Sequence, residues 1–110
     1  QQGKKEVLSK RVAVMLGNTP TAIDQMYARM KVFYRFRSES LHEGEGQNIS
    51  KSELFELEII VRRTLVKCLE RIKQELRTNA SVTWPEVKAM IINDLKSRVA
   101  TENTAGTFVS

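Results

Sequence analysis

From Leu54 to Leu76 apolar side chains return every three or four residues, at Leu54, Leu57, Val61, Leu65, Cys68, Ile72 and Leu76, with no proline or glycine between them. That is the period of an α-helix, and Ser50 followed three residues on by Glu53 supplies its capping box. So long a helix in a chain of 110 residues constrains everything packed beside it. Phe55, Ile59, Ile60, Val66 and Leu69 add a second apolar flank, so this helix is expected to bury more than one side. It would be either the centre of a bundle or packed on a copy of itself.

The rest of the chain shows the same period and no run of alternating apolar residues, which predicts an all-α, four-helix domain. A first helix is expected from about Lys4 to Leu16, with Leu8, Val12, Met15 and Leu16 on one stripe, stopping at Gly17 and Asn18. Thr19 is a good N-cap for the second and Pro20 suits its first position. That helix is expected to run to about Phe36, burying Ile23, Met26, Tyr27, Met30, Phe33 and Tyr34. Residues 38–49, polar and carrying two glycines, read as a loop. A fourth helix is capped by Thr83 and Glu86, with Pro85 in its first turn and a stripe of Trp84, Val87, Met90, Ile91, Leu95 and Val99. Residues 101–110 lack periodicity and read as a flexible tail. The chain is thus a single domain, 1–110, with an N-terminal part (1–37), the loop, a helical core and dimerisation part (50–100) and the tail.

One cysteine, Cys68, and one histidine, His42, leave no disulfide framework and no set of metal ligands. No cofactor is expected. Apolar runs are short and the N-terminus has no signal-peptide core, so a cytoplasmic or nucleoid location, or a nuclear one in a eukaryote, is expected. A chain opening on Gln1 rather than methionine is expected to be cut from something longer.

Charge is divided unevenly. Residues 1–37 hold eight basic residues against Glu6 and Asp24, a net +6, and the remainder is −1, which makes the chain +5. Within that basic third, Leu8 to Met30 (LSKRVAVMLGNTPTAIDQMYARM) resembles the helix-turn-helix of DNA-binding proteins. Ala13 is the small residue that lets two helices approach, Gly17 the turn glycine able to take positive φ, and Ile23 the buried branched residue; Val12, Leu16 and Met26 complete the inward face. The residue after the glycine, usually apolar, is Asn18, which can bond the backbone two residues on.

The resemblance implies double-stranded DNA binding, with a dimer placing two recognition helices one DNA turn apart, in transcriptional regulation or DNA maintenance. Thr19, Thr21, Asp24, Gln25 and Ala28 would then face the major groove and read bases, Gln25 toward adenine and Asp24 toward cytosine. Lys4, Lys5, Lys10, Arg11, Arg29 and Lys31 would meet phosphates, giving orientation and salt dependence without sequence information.

Two alternatives use the same residues. Val12 to Pro20 (VAVMLGNTP) followed by Tyr27 resembles the segment around the nucleophilic tyrosine of type IB topoisomerases and tyrosine recombinases, which implies covalent attack by Tyr27 on a phosphodiester. The chain has almost nothing upstream to supply those families' arginines, lysine and histidine, and Tyr27 shares the apolar stripe of its helix, so no catalytic residue is assigned. The second alternative is a helical interaction or oligomerisation domain without nucleic acid, supported by the two-sided third helix, with residues 50–100 forming a homodimer.

Overall fold

The computed structural model describes residues 3–43 and 49–110. Four helices follow in order: α1 (Lys4–Leu16), α2 (Pro20–Glu43), α3 (Lys51–Thr78) and α4 (Trp84–Ala105). Among the described residues there is no strand.

Local chemistry sets most of the helix ends. Thr19 Oγ1 accepts from the Ala22 amide at 3.1 Å, which occupies one of the orphan N–H groups opening α2. At α3 the Glu53 amide donates to Ser50 Oγ at 3.1 Å and the Ser50 amide to Glu53 Oε1 at 3.2 Å. The Thr83 amide donates in the same way to Glu86 Oε1 at 3.2 Å at α4. The far end of α4 is closed by Gly106 at φ +74°, with the Thr107 amide reaching back to the Glu102 carbonyl at 3.0 Å. One boundary differs from expectation. α2 continues through residues 38–43, because that polar run contains no glycine or proline before Gly44. The rest of the expected loop, residues 44–48, lies outside the described residues.

α1 packs most extensively on α2, and on α4 and α3 less so. Ser9, Ala13 and Gly17 recur every four residues along it and are all buried, a spacing that puts small residues on one face and allows backbones to come close. Gly17 is needed for space rather than for its dihedral. Its φ is −89°, not the positive value expected, and a Cβ there would sit 2.7 Å from Ile23 Cγ1 and 2.8 Å from the Ile23 amide nitrogen.

The core has two parts. Ala13, Val14, Ile23 and Tyr27 form the first, joined by Leu95 and Val99 of α4 and by Phe108. Leu16, Phe33 and Ile60 form the second, with Met30 and Leu57 against it. Met26 touches both. On α1 the inward residues are therefore Ala13, Val14 and Leu16, while Leu8 is exposed and Val12 and Met15 are half-buried.

The tail expected to be flexible is folded. Residues 101–105 belong to α4, and beyond Gly106 the side chain of Thr107 is buried and Phe108 packs on the first core. The sequence lacked a periodic signal here because the tail binds through single side chains and its backbone, not through a repeating face.

Candidate interaction surfaces

Two surfaces carry the residues that the sequence singles out. The first is the outward side of α1 and α2. Thr21 and Gln25 are exposed near the start of α2, Thr19 is exposed but caps the helix, and Ala28 is half-buried. Asp24 is engaged by the chain's own tail. Its Oδ1 accepts from the amides of Val109 at 3.0 Å and Ser110 at 2.9 Å, and its Oδ2 from the Ser110 hydroxyl at 2.7 Å. Those bonds from Ser110, then Val109, hold its carboxyl below the ordinary carboxylate range. The tail thus lies over the side of α2 expected to enter a groove, a placement decided by partners some 85 positions away.

The residues expected on phosphates divide. Lys4 and Lys5 are exposed and Arg11 is half-buried. Lys10 is buried, donates to Asn103 Oδ1 at 2.9 Å and lies 5.0 Å from the centre of the Phe108 ring, so it is a structural cation linking α1 to α4. Arg29 makes a two-pronged bond to Glu56, both contacts at 2.8 Å, and its pKa is raised by that pairing. Lys31 donates to the Ser110 carbonyl and sits 4.2 Å from the centre of the Tyr27 ring. Sequence could not reveal these pairings, since none joins near neighbours.

Tyr27 is a core residue, 5% exposed, and its hydroxyl donates to Glu6 Oε2 at 2.5 Å. Burial first, then the Glu6 carboxylate, push its pKa up to about 12. Both effects oppose formation of a phenolate nucleophile. Cys68 is half-buried on α3, and His42 falls where side chains are not described. Among the described residues no group of three or more His, Cys, Asp or Glu is placed to hold a metal, and no helix is long and apolar enough to cross a membrane.

The second surface is α3, and here the periodic stripe is divided between the core and solvent. Only Ile60 is fully buried, with Leu57, Thr64, Cys68 and Ile72 half-buried. Leu54, Val61, Leu65 and Leu76, from the same periodic stripe, are exposed, as are Phe55, Ile59, Val66 and Leu69. All eight lie between 41% and 63% open to solvent.

The inner side is instead fastened by arginines and their partners. Arg63 Nη2 donates to the Leu16 carbonyl at 3.0 Å, supplying a donor and positive charge to the C-terminal end of α1. The Arg29–Glu56 fork ties α3 to α2. Arg71, held by Glu75 at 2.7 Å, reaches Asp94 on α4. Burial of Ile60 and these polar clamps together hold α3 with eight large apolar side chains outward. No family model matches this chain, and neither a curated protein nor a solved structure shows significant similarity to it.

Proposed function

We propose that this chain is a helical interaction module that presents the outer face of α3 for association. The observation that carries the reading is the exposure of α3: eight large apolar side chains 41–63% exposed on one helix, while that helix is held to the rest through buried Ile60 and through Arg63, Glu56 and Arg71. A contiguous apolar surface of this kind is costly to leave in water and marks a contact site. A mass measurement across a concentration series tests it, comparing the chain with Leu65→Lys. Association that the substitution abolishes, with helix content retained, is the expected result. A chain that stays monomeric throughout and retains no protein partner through α3 overturns the reading.

A second reading, duplex DNA binding by the helix-turn-helix in a regulatory or DNA-maintenance role, is favoured by one specific observation: Lys5, Lys31 and Arg35 line a single shallow cleft beside α2, in the third of the chain that carries net +6. Thr21 and Gln25 stay exposed at the start of that helix. Titration of a duplex from about 50 to 200 mM salt tests it, because several phosphate contacts make affinity fall by orders of magnitude over that range. No binding at the lowest salt overturns it.

A further inference from the structure

The outer face of α3 has an internal symmetry. Positions 54, 58, 61, 65, 69, 72 and 76 are separated by steps of four, three, four, four, three and four, a series that reads the same from either end about Leu65. At 3.6 residues per turn they fall within an arc of about 80°. Their repeat of eleven residues nearly matches the straight helix, so the arc stays on one side with little supercoiling. Leu54, Glu58, Val61, Leu65, Leu69 and Leu76 on this arc are exposed and Ile72 is half-buried.

We infer that α3 pairs antiparallel with α3 of a second copy about a twofold axis at Leu65. The inference rests on the interaction-module reading and goes beyond it in naming occupant, direction and register. In that register Leu54 meets Leu76 of the second copy, Val61 meets Leu69, and Leu65 meets itself, an isologous contact. A parallel pair would also set apolar on apolar, so charge decides between them. Parallel alignment opposes Glu58 to Glu58, like charges at close range, and sends the two Lys73 side chains to opposite flanks. Antiparallel alignment sets Glu58 against Ile72 and beside Lys73, on the same flank of both helices. Glu58 and Lys73 are both exposed; Glu58 already accepts from Arg62 Nη2 at 2.5 Å on its own helix, so Lys73 of the second copy would join that ion pair. They cannot meet within one helix, where fifteen residues separate them by about 22 Å.

The test uses the chain with Cys68→Ser, measuring the dimer dissociation constant by sedimentation. Glu58→Lys and Lys73→Glu should each weaken the dimer about tenfold, because two symmetry-related pairs change from attraction to repulsion. The double variant should return to within about twofold of the parent. In a parallel pair neither single change alters the sign of the contact, so unaffected single variants overturn the inference. Disulfide trapping gives an independent readout. Copies with Glu58→Cys mixed with copies carrying Lys73→Cys should form the mixed crosslink, and Glu58→Cys alone should not crosslink, since the two sulfurs would lie about 21 Å apart along the axis. Ready crosslinking of Glu58→Cys to itself establishes a parallel dimer, which overturns the antiparallel register and leaves the module reading standing. A parent chain that is monomeric at every concentration, with no variant altering its mass, overturns both.

Discussion

The ring of Phe108 stands edge-on to that of Tyr27, with centroids 5.0 Å apart and planes inclined by 71°. This contact closes the first core from the chain's C-terminal end and brings Lys10 and Lys31 onto the two rings, Lys10 against Phe108 and Lys31 against Tyr27. Phe108→Ala is expected to destabilise the fold by about 2 kcal/mol, less than for a fully buried phenylalanine because the ring is half-exposed. Denaturant unfolding measures it. A loss below about 0.5 kcal/mol would show that the tail contributes nothing to the core.

Asp24 makes docking of the tail sensitive to acid. Its carboxyl is held below the ordinary value of 3.8 chiefly by Ser110, so the docked state binds a proton less readily than the undocked one. The stabilisation is therefore complete above the ordinary carboxylate value and is lost as pH falls through the lowered one. Amide shifts of Val109 and Ser110 should move together in that acid window. In Asp24→Asn the transition should vanish. Persistence of the same transition in that variant would assign it to another group.

Gly17→Ala is expected to cost at least about 2 kcal/mol, although alanine is comfortable at φ −89°. The added methyl would meet Ile23 backbone atoms at 2.8 and 2.9 Å, which cannot swing aside as a side-chain end can. Denaturant unfolding measures it, and a loss below about 0.5 kcal/mol would contradict the steric explanation.

Ser9 is fully buried and its hydroxyl oxygen has no hydrogen-bond partner among the described residues. An unsatisfied buried hydroxyl costs about 1 to 3 kcal/mol, and alanine fits the same space. Ser9→Ala should raise the thermal midpoint by a few degrees. A lower midpoint would mean that the hydroxyl is satisfied after all.

Much of the secondary structure was legible in the sequence, because its signals act within one turn. Ser50 with Glu53, Thr19 with the Ala22 amide, and Thr83 with Glu86 each bond across three residues, and the apolar period marks the segments between them. Signals of that range also explain the one overextended loop, where a polar composition in residues 38–43 stood in for a helix break that the residues do not contain. Tertiary structure decided the rest. Periodicity tells which residues share a face of α3 but not which face turns inward, and here burial of Ile60 goes with the partners that Arg63, Glu56 and Arg71 find on other helices. Three side chains expected on DNA have partners within the chain at the same range: Lys10 pairs with Asn103, Arg29 with Glu56, and Asp24 with Ser110. A charged side chain is read from sequence as available. Whether it is spent on solvent, a ligand or the fold depends on which distant group the folded chain brings within 3 Å of it.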